Sequence, residues 1–95
     1  MLHHIIVKFN ENVTDKAEIA SEALQLFSRL KGQNGIHEVK VFLNCVARDN
    51  RYDMMIVVDM DKESLEFYDK SAEHLKWKTD YGKYIQSKAI FDCEK

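Results

Sequence analysis

The segment YDMMIVVDM, residues 52–60, decides how this chain folds. It is short, rich in apolar side chains and free of glycine and proline, so it predicts a β-strand. Side chains alternate between the two faces of a strand. One face of this strand is apolar throughout, and the other is apolar at Met55 and Val57. A sheet built on this strand therefore needs a cover on both faces.

Three more strands are predicted around this segment. A first strand at 2–9 and a second strand at 36–46 precede it, and a polar turn at 48–51 joins the second strand to it as a hairpin. A last strand is predicted at 86–93, with an apolar centre. The chain thus supplies four strands.

A helix is predicted between the first two strands. Asp15 and Glu18 have the spacing of a capping box, with aspartate in place of the usual serine or threonine. The helix is expected to end near Gly32, since glycine favours the left-handed conformation that closes helices. Its core-facing stripe is predicted to contain Ala20, Ala23, Leu24, Phe27 and Leu30.

A second helical region is predicted between the third and fourth strands. It starts after Asp61, and it is expected to bend or break near Ser71, which looks like a new N-cap for a helix at 72–85. The two halves of the chain then have the same order of strand, helix and strand.

This βαββαβ order predicts one ferredoxin-like α+β domain over residues 1–95, with helices on one face of a four-stranded antiparallel sheet. The other face would carry a contiguous apolar patch, larger than a monomer usually exposes. Its members are Ile6, Met55, Val57, Ala89 and Phe91. We therefore expect a homodimer through the sheet face, in the form of a dimeric α/β barrel.

Composition and charge argue against several classes of function. The formal net charge is −2 and basic runs are short, so the chain is not expected to bind nucleic acid. No apolar run approaches the roughly 20 residues that span a bilayer, so no membrane association is expected. Cys45 and Cys93 lack zinc-site spacing, and no Gly-rich phosphate loop is present, so neither a metal nor a cofactor is expected. Free cysteines fit a cytoplasmic location.

Several short features, in the same order along the whole chain, resemble the stress-responsive A/B barrel (Dabb) family of the dimeric α+β barrel superfamily. They are the first strand with His3, Lys8 and Phe9, the pair Gly35-Ile36, Tyr52, the Tyr68-x5-His74 segment, and Ile90-Phe91-Asp92. The resemblance implies a homodimer whose protomers each hold an apolar pocket between the helices and the sheet.

The chain is also distantly similar to a plant member of that family, olivetolic acid cyclase. That resemblance implies aldol-type cyclisation without a cofactor, with His74, Tyr68 and His3 at the positions of the catalytic residues. The family often has His-Pro-x-His where this chain has Ser71-Ala72-Glu73-His74.

The residues themselves fit this placement. Histidine is the side chain best suited to act as a base near neutral pH, and His74 lies three residues before Trp77, on the same helix face. By strand parity His3 faces the helices, and a charge at Asp92 on that side must be paired or lie at a pocket mouth. The candidate pocket residues are Phe27, Met54, Trp77 and Asp92. Ordinary core packing explains the apolar members equally well.

Three functional hypotheses stay open, and the sequence leaves undecided whether the domain is an enzyme. The first is a pocket for a small apolar or aromatic molecule, with or without cofactor-free proton transfer by histidine and tyrosine. The second is a non-catalytic homo-oligomer with a stress-related role. The third, with the least support from the residues, is a cofactor-independent monooxygenase. The substrate, the pathway and the oligomer size beyond a dimer are not indicated.

Overall fold

The computed structural model describes all 95 residues and contains one four-stranded sheet with three α-helices. Two short 3₁₀ turns, Lys62–Ser64 and Gly82–Tyr84, flank the second helical region. The elements in chain order are β1 (Leu2–Phe9), α1 (Lys16–Ser28), β2 (Ile36–Leu43), β3 (Met54–Met60), α2 (Leu65–Lys70), α3 (Ala72–Tyr81) and β4 (Ile85–Cys93). None of the three α-helices has both the length and the apolar composition of a membrane span.

The sheet has the strand order β2-β3-β1-β4, and all neighbouring strands are antiparallel. The two central strands are therefore β1 and β3, and Ile5 of β1 lies opposite Ile56 of β3 and Ile90 of β4. This arrangement confirms the predicted ferredoxin-like fold.

Side-chain caps begin α1 and α3 where the sequence predicted them, whereas the Asp61 side chain does not cap the start of the second helical region. The Asp15 carboxylate accepts a hydrogen bond from the backbone N–H of Glu18 at 3.1 Å. The Ser71 hydroxyl accepts one from the backbone N–H of His74, also at 3.1 Å, and the extended backbone of Ser71 separates α2 from α3. Each cap stabilises its helix by about 1 kcal/mol.

The core lies between the helices and the inner face of the sheet. Every second residue of β1 and β3 is buried, as the alternation predicted. Phe27 of α1 and Leu30, which follows that helix, belong to the same core and are fully buried. Burying each side chain of this size contributes about 1.5–3 kcal/mol.

Some predicted boundaries and one predicted core residue were wrong. Leu24 is 40% exposed, whereas Ile19 and Leu26 are buried in its place. With about 100° between successive helix residues, Leu24 lies at the margin of the stripe centred on Ala23. The second strand ends at Leu43, the third begins at Met54, and α3 ends at Tyr81, where the 3₁₀ turn Gly82–Tyr84 follows.

The outer face of the sheet carries the predicted apolar patch. Ile6 lies opposite Met55 on one side and Ala89 on the other, and Phe91 at the edge is 59% exposed. Phe42 of β2, which lies opposite Met55 and is half-exposed, extends the patch although the sequence reasoning missed it. No segment of the chain covers this face.

Candidate functional site

A cleft of about 300 Å³ lies on the inner side of the sheet, between β1 and β4 on one wall and α2 and α3 on the other. The helices leave the inner side of β4 open, so that Ile90 is 50% exposed. The lining residues are His3, Ile5, Leu65, Tyr68, Asp69, His74, Trp77, Lys88, Ile90 and Asp92.

The Tyr68 hydroxyl is the most unusual group in this cleft. The side chain is 1% exposed, and its oxygen is buried without a hydrogen-bond partner. Burial raises the pKa of Tyr68 far above its ordinary value, and the charges of Asp69 and Asp92 raise it further. The phenol therefore stays protonated and serves as a hydrogen-bond donor, not as a base.

His74 packs against Tyr68, with the two ring centroids 4.7 Å apart. Its Nδ1 lies 3.0 Å from the backbone carbonyl oxygen of Asp69. A carbonyl oxygen only accepts, so Nδ1 carries the proton and donates it in this bond. The lone pair of Nε2 is then free to accept a proton.

His3 also contacts Tyr68, with a centroid distance of 5.0 Å and an edge-on geometry. Its Nδ1 donates a hydrogen bond of 2.5 Å to the Asp92 carboxylate. The two residues lie opposite each other on β1 and β4, so the sheet register itself holds the pair together. This contact fixes the His3 tautomer and leaves Nε2 as an acceptor, in the way that a buried aspartate orients a catalytic histidine.

The structure brings five of the seven proposed site residues to one cleft and leaves two outside its lining. His3, Tyr68, His74, Trp77 and Asp92 all line the cleft. The other two belong to the packed core: Phe27 lies behind the cleft, 5.7 Å from the Trp77 ring centroid, and Met54 is buried on β3 opposite Val7.

Two polar lining residues were missed by the sequence reasoning. Lys88 shares its strand face with Ile90 and Asp92, so strand parity was a signal that could have found it. The carbonyl of Asp69, which binds His74, had no such signal, because it depends on the backbone turn between α2 and α3.

The cleft holds one buried hydrogen-bond donor, the Tyr68 hydroxyl, and two acceptors, the Nε2 atoms of His3 and His74. Tyr68 can donate to an oxygen atom of a bound molecule, and the two histidine Nε2 atoms can take protons from groups next to that oxygen. No group of three or more His, Cys, Asp or Glu side chains is arranged to hold a metal ion. The chemistry that these residues support is proton transfer at an oxygenated carbon.

The chain matches no protein-family model and no curated protein. Its fold matches solved structures over nearly its whole length. A dimeric protein of unknown function from Bacteroides fragilis, with a ferredoxin-like fold, has a TM-score of 0.79 and 17% identity, covering 99% of this chain and 94% of that one.

Two further structural neighbours carry a family or activity name. A Dabb family protein from Mesorhizobium loti, also ferredoxin-like, has a TM-score of 0.65 and 11% identity, covering 99% of this chain and 95% of the other. A hydroxynitrile lyase from Passiflora edulis has a TM-score of 0.68 and 10% identity, covering 95% and 87%. At identities this low, the structural similarity shows a shared fold alone.

Proposed function

We propose that this chain is a Dabb-type protein that dimerises through the outer face of its sheet and binds a small oxygenated molecule in the cleft beside Tyr68. We propose further that the cleft catalyses proton transfer without a cofactor. The Mesorhizobium loti neighbour supports the family, and the Bacteroides fragilis neighbour, which is dimeric, supports the assembly.

The observation that carries the ligand proposal is the unpartnered Tyr68 hydroxyl. A buried polar group without a hydrogen bond costs about 1–3 kcal/mol. A carbonyl or hydroxyl oxygen of a ligand would supply the missing acceptor and recover that free energy. The lining around it, with Ile5, Leu65 and Trp77, suits an apolar or aromatic body next to that oxygen.

The proposed reaction follows from the protonation states of the three residues. Nε2 of His74 takes a proton from the carbon next to a carbonyl group, or from a hydroxyl group. The Tyr68 hydroxyl donates a hydrogen bond to the ligand oxygen and stabilises the negative charge that develops there. The protonated His74 then returns the proton to the product, and Nε2 of His3, oriented by Asp92, accepts a hydrogen bond from a hydroxyl group of the ligand. A well-placed base of this kind contributes roughly 10²–10⁴-fold.

The first experiment follows binding through Trp77, the only tryptophan in the chain. Acetophenone, an aromatic ketone, is expected to quench its fluorescence saturably. Tyr68→Phe should weaken that binding by about 10-fold, because one hydrogen bond to the ketone is lost. Tyr52→Phe is the matched control, since Tyr52 is exposed and lies outside the cleft. Equal affinities in all three proteins would overturn the role of Tyr68.

The second experiment measures catalysis without assuming a natural substrate. Exchange of the acetophenone methyl protons in D₂O, followed by NMR, reports proton removal next to a carbonyl. His74→Gln is expected to slow the catalysed exchange by about 10²-fold. Mandelonitrile is a second test compound, chosen because a neighbour with this fold is a hydroxynitrile lyase. Saturable binding with no exchange and no cleavage would overturn the catalytic proposal and leave a binding protein.

The third experiment tests the dimer by sedimentation. Met55→Lys places a charge in the middle of the outer patch, where Met55 lies between Ile6 and Phe42, and is expected to convert a dimer to a monomer. Leu75→Lys is the matched control, because Leu75 is 62% exposed on α3, on the opposite side of the sheet. A wild-type chain that sediments as a monomer at micromolar concentration would overturn the dimer.

A further inference from the structure

The charges of the cleft are separated along its length. The inner side of β4 presents Lys88, then Ile90, then Asp92. At about 3.3 Å per strand residue, Lys88 and Asp92 are roughly 13 Å apart along the strand. The apolar Ile90, half exposed, lies between them and faces the cleft.

Both carboxylates of the lining lie near the Tyr68 end. Asp92 is bonded to His3, and Asp69 follows Tyr68 directly in the chain. Lys88 is the only lysine or arginine in the lining, and its ammonium group has no ion pair and no hydrogen-bond partner within the chain. An anionic group is therefore repelled from the Tyr68 end and attracted to the Lys88 end.

The geometry points to a ligand that is polar at both ends. We propose that the cleft takes an oxo- or hydroxy-carboxylic acid, with its neutral oxygen on the Tyr68 hydroxyl, an apolar middle over Ile90 and its carboxylate at Lys88. The two polar ends would be about 10 Å apart, given the strand spacing. The proposal rests on the ligand-binding role of the cleft, and it adds a specificity residue and a substrate class.

The alternative use of Lys88 is protection of an edge strand. Lysine is common on exposed strands, where its charge discourages pairing with other chains. In that role Lys88 would not change the relative affinities of charged and uncharged ligands. A carboxylate preference that depends on Lys88 is the property that separates the two roles.

The test compares 8-oxo-8-phenyloctanoate, whose extended chain matches the spacing between the two polar ends, with its uncharged primary amide. Both carry an aryl ketone, so both are expected to quench Trp77. Wild-type protein should bind the acid about 10-fold more tightly than the amide, and Lys88→Gln should bind the two equally, with amide affinity unchanged. The preference should shrink toward 1 M salt, where the Debye length falls to about 3 Å.

Two further variants control for general effects of charge. Lys88→Arg is expected to keep most of the preference, and Lys83→Gln all of it, since the Lys83 ammonium lies over the Tyr84 ring, outside the cleft. An amide that binds as well as the acid, or a preference that survives Lys88→Gln, would overturn the specificity proposal alone. Failure of both compounds to bind wild-type protein would instead count against the ligand-binding role itself.

Discussion

The inner face of the sheet has two halves that differ in how they are covered. Over β2 and β3, α1 closes the surface, and Ile56 and Val58 have no contact with solvent. Over β4, the short helices α2 and α3 leave a cleft, and Ile90 is half exposed. The sealed half contains apolar side chains, whereas the open half contains an unpartnered hydroxyl, two histidines and three charged side chains.

The two halves therefore differ in what they contribute. The sealed half stabilises the fold, and the open half holds the side chains that are available to a ligand. In the sealed half, close packing leaves no group without a partner, and each apolar side chain adds to the free energy of unfolding. In the open half, the break at Ser71 turns the chain so that Tyr68 and His74 lie together. The open half buries less apolar surface, and it holds polar groups that can form hydrogen bonds with a ligand.

The largest expected effect on stability comes from a comparison of two isoleucines, one on either side of Ile5. Ile56 and Ile90 lie opposite Ile5 on neighbouring strands and on the same face of the sheet. Ile56→Ala is expected to lower the free energy of unfolding by about 3 kcal/mol, because it opens a cavity in the sealed half. Ile90→Ala should cost only about 0.5 kcal/mol, because the side chain is already half exposed. Urea denaturation of the two variants measures both values.

In a binding measurement the order of the two variants should be reversed, with the larger loss of affinity in Ile90→Ala. Ile90→Ala removes part of the cleft wall and is expected to weaken acetophenone binding, whereas a folded Ile56→Ala protein should bind almost normally. Similar losses of stability in both variants would contradict the division of the sheet into a sealed and an open half.

A smaller effect concerns Asp53, which connects three elements at the sealed end. Its carboxylate accepts hydrogen bonds from the Phe9 backbone N–H at 2.7 Å and from the Lys16 ammonium at 3.0 Å. Burial acts to raise the pKa of Asp53, but these two donors and the charge of Lys8 outweigh it, so the pKa is lowered. Because the folded-state pKa is below the unfolded one, the carboxylate stabilises the protein above the unfolded value and loses this effect as the pH falls.

We expect Asp53→Asn to lower the free energy of unfolding by about 1.5 kcal/mol at neutral pH. The difference from wild type should shrink below about pH 4, the range in which unfolded aspartate takes up its proton. Denaturation curves recorded at several pH values measure it. Asp49→Asn is the control, since Asp49 is exposed in the preceding loop and makes no hydrogen bond or ion pair. A difference that stays constant down to pH 2 would contradict the account.

The features that the sequence predicted well depend on local interactions. The caps at Asp15 and Ser71 each join residues three apart, and the bounds of β1 follow from one short run that is rich in apolar residues and free of glycine and proline. The end of β2 and the start of β3 were misplaced, because a strand continues only as far as its ladder partner, and that partner is set by the whole sheet. Local pattern could not supply this information.

Sequence patterns predicted five residues that line the cleft, but not the hydrogen bonds that they form. Parity placed His3 and Asp92 on the helix-facing side, yet their hydrogen bond joins residues 89 positions apart and needs the β1–β4 register. The apolar residues Phe27 and Met54 carried no signal that distinguishes a pocket wall from the core behind it. Whether a side chain lines a pocket or lies in the core behind it depends on the packed structure, and a short sequence pattern does not show it.

The last expected effect has the opposite sign to the others and concerns Tyr68. Its hydroxyl is buried without a partner, so removing it removes a desolvation cost. Tyr68→Phe is therefore expected to raise the free energy of unfolding by about 1 kcal/mol while it weakens ligand binding. Differential scanning calorimetry without ligand measures the gain as a higher Tm.

Tyr81→Phe gives the matched comparison, because the Tyr81 hydroxyl donates a hydrogen bond of 2.6 Å to the Glu22 carboxylate. Removing that hydroxyl should lower the free energy of unfolding by about 1 kcal/mol. Two tyrosines that lose the same atom should thus change stability in opposite directions. If Tyr68→Phe is destabilising as well, the hydroxyl has a partner in solution, such as an ordered water, and the open half of the sheet is completed by solvent before any ligand binds.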